Sequence, residues 1–173
     1  MPALLVAIVT HTPTSVWILL GVLLALGLRQ ATPRRIGATR ALALPAAFVL
    51  LSISGAWRTF GASGAVEPLA AWALGAAIGA AANRALDLPR GVVARSDGSF
   101  DVPGSYAPLA IMLAIFSVHY VVHAALAIVP MLASRDAFVV AACAAYGVPS
   151  GMMASRARKL WAARSAPPAA LPA

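Results

Sequence analysis

Residues 106–129 read YAPLAIMLAIFSVHYVVHAALAIV, an apolar run that holds no Asp, Glu, Lys or Arg and is closed by Pro130. A helix needs about 20 mostly apolar residues to cross the hydrocarbon core of a bilayer, since each residue advances the chain by only about 1.5 Å. This run meets that length, so it reads as a membrane-spanning helix. Composition agrees: 61% of the residues are hydrophobic, 10% are charged, and the mean hydropathy is +0.86. Soluble domains carry about 25% charged residues. A surface facing water cannot give up that much polar cover, whereas one facing lipid can.

Four more apolar runs flank the first, at approximately 14–28, 41–57, 66–86 and 137–155. Pro45 falls in the first turns of its run, where a missing N–H does least harm. Pro149 lies well inside the last run, and a bend is expected there. The expected fold is therefore an all-α membrane protein, a five-transmembrane-helix bundle. Residues 1–164 form its single membrane-embedded domain. The tail 165–173, with prolines at 167, 168 and 172, is expected to be disordered. Ahead of the first span, Ala3–Val9 is a second apolar piece, cut off by Thr10-His11-Thr12-Pro13. It reads as an interfacial helix or as an extension of span one, and the cap-and-proline pattern favours the former. No basic residue precedes it, so it does not read as a cleavable signal peptide.

The basic residues set the orientation. The segment after span one holds Arg29, Arg34, Arg35 and Arg40, that after span three holds Arg84, Arg90 and Arg95, and the C-terminal segment holds Arg156, Arg158, Lys159 and Arg164. The two intervening loops hold Arg58 and Arg135 alone, so alternate sides carry eleven and two of the thirteen. Cytoplasmic loops are the ones rich in Lys and Arg. The expected topology is N-terminus outside (periplasmic) and C-terminus in the cytoplasm. Arg makes up twelve of the thirteen basic residues and Ala is abundant, the coding bias of a GC-rich, bacterial genome. The expected location is the bacterial inner (cytoplasmic) membrane, with the lipid bilayer as the main partner. A net charge of +8 would suggest nucleic acid in a soluble chain, but no reading motif accompanies it, and no nucleic acid partner is expected.

Between spans three and four, residues 91–104 read GVVARSDGSFDVPG. Asp97-Gly98 between two β-capable stretches is a strong hairpin signal, because both turn positions favour positive φ. A two-residue turn would pair Arg95 with Phe100 and Val93 with Val102, giving a ribbon with one apolar face. A lone hairpin is marginal in water, so this face is expected to rest on the cytoplasmic end of the bundle or on headgroups.

Two constellations lie within the spans. Gly75 and Gly79 in span three, and Gly147 and Gly151 in span five, have the spacing that lets two helix backbones approach closely. Packing inside the chain is their ordinary use, and a homodimer contact is the competing one. His119 and His123 share a face of span four, and Cys143 and Tyr146 of span five fall at similar depths. Together they make a candidate polar layer. Neutral imidazoles bonded between helices are its plain reading; a proton relay or substrate contact, or a metal or haem site, are the alternatives. The single cysteine, Cys143, has no CxxC spacing around it. P-loop, GxSxG and HExxH signatures are absent, and the five acids lie in or beside loops. No catalytic residue, metal ligand or cofactor is expected.

His11-Thr12-Pro13 with Trp17, the Arg29-Gln30 exit, the Ser96-Asp97-Gly98 turn and Val102-Pro103-Gly104-Ser105 before span four together resemble an uncharacterised family of small bacterial inner-membrane proteins, a domain of unknown function. The layout is more distantly similar to CcdC-like membrane proteins, named for an association with cytochrome c biogenesis. The resemblance implies a membrane fold over most of Met1–Trp161 and supplies no activity. The functional expectation is a non-enzymatic polytopic membrane protein with a structural, regulatory or assembly role and an unknown small-molecule substrate, if any. A small oligomeric transporter using His119 and His123, or a haem- or metal-associated protein, is the alternative.

Overall fold

The computed structural model describes Thr10 and residues 12–61, 66–95 and 97–165. The expected N-terminal interfacial helix, His11 and the tail beyond Ser165 lie outside the described residues. Among the described residues five α-helices carry the fold: α1 (Thr14–Arg29), α2 (Ala38–Phe60), α3 (Val66–Ala85), α4 (Ala107–Ile128) and α5 (Asp136–Ser165). Three of them, α2, α4 and the Asp136–Ala163 part of α5, are long and apolar enough to cross a membrane. Helix α1 is apolar but has only 16 residues, a rise of about 24 Å against a hydrocarbon core of about 30 Å. Helix α3 has the length but is diluted by Ala and Gly and carries Glu67, Asn83 and Arg84.

Local chemistry explains the boundaries. Pro108 sits in the first turn of α4, and the Ser105 hydroxyl accepts from the Ala107 N–H at 3.1 Å. Asp136 begins α5, where a carboxylate meets the positive end of the helix dipole. Helix α3 closes in a Schellman motif. The Leu88 N–H donates to the Asn83 carbonyl at 3.3 Å, the Asp87 N–H to that of Arg84 at 3.0 Å, and Asp87 takes the left-handed conformation with φ 53°. The last span was expected to end at residue 155, but α5 runs to Ser165, taking in the first residue of the expected tail. Charge ends a hydrocarbon span, yet it does not end a helix, and Ala, Arg, Lys and Leu continue one readily.

Helix α5 is the centre of the bundle. Half of its apolar window is buried (50%), against 17% for the windows of α2 and α4, and it packs against α2, α3 and α4. Its largest contact is with α3, and glycine makes it: a Cβ at Gly75 or Gly79 would overlap the carbonyl of Ala144 or Val148, and one at Gly147 or Gly151 would overlap that of Trp72 or Ala76. Both glycine pairs therefore serve packing within the chain. Helix α1 lies outermost, packed on α4 with Gly27 against Leu109, and it exposes Trp17, Ile18, Leu19, Val22 and Leu28. An apolar face this long is stable against lipid and unfavourable against water.

One end of the bundle carries a three-stranded antiparallel sheet in the order β1-β3-β2, formed by β1 (Arg34–Gly37), β2 (Val93–Ala94) and β3 (Ser99–Val102). The register expected from a two-residue turn is off by one: Val93 pairs with Asp101 and Ala94 with Phe100. The turn holds three residues. The Gly98 N–H donates to the Arg95 carbonyl at 3.1 Å, Gly98 has φ +77°, and the Arg95 N–H donates to the Ser99 carbonyl at 2.9 Å. Since successive strand residues face opposite sides, the shift turns Val93 and Arg95 outward and leaves Phe100 and Val102 as the buried pair. These two pack with Ala41 of α2 and Leu160 of α5, flanked by Ile36 and Ala94. Strand β1 had no counterpart in the sequence reading. It ties the α1–α2 segment to the α3–α4 segment, and Leu160 brings the end of α5 to the same place. The three strongly basic segments thus meet at one end, while Phe60 and Phe138 pack edge-on, 6.3 Å apart, towards the other.

Candidate functional site

Of the four residues of the candidate layer, the fold brings three together. The imidazole of His119 stacks on the ring of Tyr146, with centroids 4.3 Å apart and planes inclined by 27°. Tyr146 and Cys143 are buried in one apolar cluster with Ala56, Phe60, Val122 and Val139. His123, one turn beyond His119, is exposed and outside that buried cluster. The His119 Nδ1 lies 2.9 Å from the Ile115 carbonyl, which can only accept, so Nδ1 carries the proton. Its Nε2 points at α2, where a Cβ added to Gly55 would sit 3.2 Å away. Gly55 thus makes room for the ring.

The sequence reading missed the rest of this network. Ser52 of α2 donates to the Tyr146 carbonyl at 2.9 Å and accepts from the Trp72 indole N–H of α3 at 3.0 Å, tying three helices at one point. Ser150 donates to the same carbonyl at 3.1 Å, and Thr12 and Tyr120 share a hydrogen bond of 2.8 Å between α4 and the lead-in to α1. A serine in an apolar run was the one available signal. The Tyr146 hydroxyl is buried with no hydrogen-bond partner among the described residues. No group of three His, Cys, Asp or Glu side chains gathers to hold a metal among the described residues. Within the layer the His119 Nδ1 is satisfied by backbone while the Tyr146 hydroxyl is not, and none of its members is a carboxylate that could drive proton transfer.

The basic end is built differently. A cavity of about 480 Å³ opens between the end of α1, strand β1, the start of α2 and the final turns of α5. Arg29, Arg34, Arg35, Arg40 and Arg156 line it, together with Gln30, and no Asp or Glu does. Arg34 donates to the Gln30 side-chain oxygen at 2.9 Å, and burial lowers its pKa. Arg35 turns outward to Asp97 and Ser99. Arg156 is only 8% exposed, and one of its terminal nitrogens has no partner among the described residues. Arg156, counted in the sequence only as one of the basic residues that orient the chain, is buried in the lining of this cavity.

On the outer side of the sheet the acids are well matched. Hydrogen bonds from the Ser99 hydroxyl and N–H hold the Asp97 carboxyl below the usual carboxylate range, with Arg35 and Arg95 adding to the effect. Lys159 does the same for Asp87, at 2.5 Å, and also donates to its carbonyl at 3.1 Å. Arg95 pairs with Asp101 at 2.5 Å. These exposed pairs contribute little to stability; two link positions within the sheet and its turn, and the third joins the end of α3 to α5.

No curated protein and no solved structure matches the chain. A family model does, over residues 1–170, and the chain belongs to that family, the Family of unknown function (DUF6622).

Proposed function

We propose that the chain is a five-span protein of a bacterial cytoplasmic membrane, with its N-terminus outside, its C-terminus inside, and a structural, regulatory or assembly role rather than an enzymatic one. The observation that carries this reading is the convergence of the basic segments. Four, three and four Lys and Arg belong to stretches far apart in the chain, and strand pairing with the Leu160 contact gathers those stretches at one end. The other two are Arg58, in the last turn of α2, and Arg135, just ahead of α5. A single strongly positive end is what the positive-inside rule places in the cytoplasm. Helices α1 and α3 complete the spans in this reading. Helix α3 is shielded by α5 along its glycine face.

A role as scaffold or regulator fits a bundle whose centre is closed by glycine packing and aromatic stacking. A permease route along His119 and His123 fits less well, since His123 is exposed and outside the buried cluster that holds Tyr146. Fusing a reporter active only in the cytoplasm after Arg58, Arg95 and Ala173 tests the topology. Signal is expected at Arg95 and Ala173 and none at Arg58, whereas a cytoplasmic signal at Arg58 would overturn the five-span reading.

A further inference from the structure

The cavity at the basic end is charged in a way the chain itself does not balance. Five guanidinium groups line it, and of these only Arg35 has a carboxylate partner, Asp97, among the described residues. Arg156 is more than nine-tenths buried, lies close enough to Arg34 to feel its charge, and keeps an unpartnered nitrogen. A buried charge of this kind is costly unless an opposite charge meets it. Gln30, the uncharged polar side chain of the lining, offers its oxygen to Arg34. The remaining wall is apolar, with Leu26, Leu44, Met153 and Leu160 towards the bundle and Ile36 and Val102 towards the sheet.

We infer that this cavity binds a phosphate-bearing ligand, with Arg156 and Arg34 gripping the phosphate and the apolar wall taking an attached hydrocarbon portion. The planar guanidinium fork matches phosphate oxygens two at a time, which favours phosphate over a single-point anion. Basic pockets between membrane helices at the cytoplasmic face are suited to anionic headgroups. Two sources offer this chemistry, the headgroup of an anionic phospholipid and a free phosphate. The lipid source rests on the membrane placement proposed above, whereas the phosphate site itself does not.

The test uses the full chain purified in an uncharged detergent. Its thermal unfolding is followed during separate titrations with short-chain phosphatidylglycerol, with phosphatidylcholine of the same chain length, and with inorganic phosphate. Saturable stabilisation by phosphatidylglycerol or by phosphate, and none by phosphatidylcholine, is expected. Saturation by inorganic phosphate alone identifies a free anion as the source, and a requirement for phosphatidylglycerol identifies a lipid. Arg156→Gln should weaken the response about tenfold or more, because one partner of a buried charged contact is removed. Arg40→Gln, at the start of α2, should weaken it less and guards against a folding defect in the first variant. Arg158→Gln, exposed and outside the cavity, should leave it unchanged. Equal stabilisation by phosphatidylcholine, no saturable effect of any anion, or equal weakening by Arg158→Gln would overturn the site. None of these outcomes bears on the reporter result, so the two proposals fail separately.

Discussion

Replacing Gly151 by alanine tests the α3–α5 contact on which the bundle is centred. The added methyl would overlap the Ala76 carbonyl, and that atom belongs to helix backbone with no rotamer to escape into. The two helices must therefore separate locally, thinning the dispersion contacts along their shared face. Overpacking a well-filled core costs about 1–3 kcal/mol, and a clash with backbone belongs at the upper end, so about 3 kcal/mol is expected. Gly79→Ala meets the Val148 carbonyl on the same face and should cost as much. The double variant should fall well short of the sum, because helices already separated by one methyl accept the second. Gly21 is the control: a Cβ there meets nothing within 4 Å, and its alanine variant should be neutral or slightly stabilising. Thermal unfolding in detergent measures the differences, and size-exclusion chromatography separates packing within the chain from packing between chains. If Gly151→Ala unfolds like Gly21→Ala, or dissociates an oligomer without losing stability, the glycine argument is wrong.

Ser52→Ala removes a bond to α5 and leaves the Trp72 indole without its acceptor; at about 0.6 kcal/mol per interhelical bond in a membrane bundle, a loss of roughly 1 kcal/mol is expected in the same unfolding assay, while exposed His123→Leu should be silent. Gly98→Val forces a β-branched residue to φ +77°, so trypsin should cut near Arg95 faster than in the parent while membrane insertion is unchanged; equal protection would refute the turn. Asp97 and Asp87 have carboxyls held below their ordinary range in the folded state, so their contribution is present above the ordinary carboxylate pKa and is lost as pH falls through the lower folded value. Amide exchange at Ser99 and Leu88 should therefore report increased local opening, after correction for intrinsic rates, as pH falls to about 3; opening that does not change with pH would contradict this.

The helices were legible because burial in lipid or protein demands long apolar runs, and α2 and α4 contain the runs read at 41–57 and 106–129 nearly residue for residue. The glycine face was legible too, since its four-residue spacing has few other uses along a helix. Strand β1 was not. Arg34–Gly37 is four residues with two arginines, and it becomes a strand only because β3, more than sixty residues later, offers a paired edge and Phe100 a place to bury. Such pairing leaves no periodicity in a short segment. The turn register failed for a related reason: Asp-Gly fits both two- and three-residue loops, and which face buries depends on Ala41 and Leu160, which lie far off in the chain. Arg156 was hidden because a basic cluster just past an apolar span reads as an orientation signal, and only the α5 helix continuing through it carries one of its members inward. His123 shows the opposite error. Its spacing from His119 was read correctly, but α4 turns only a narrow strip towards α5 and His123 falls outside it.

Thiol labelling in cells tests the central claim most directly, that the chain spans the membrane with its basic end in the cytoplasm. With the buried Cys143 replaced by alanine, single cysteines at Arg58, Arg135, Arg95 and Arg158, all exposed, are challenged with a membrane-impermeant maleimide. Positions 58 and 135 should label in intact cells, and positions 95 and 158 only after the membrane is permeabilised. Labelling of 95 or 158 in intact cells, or protection of 58 and 135, would contradict the account.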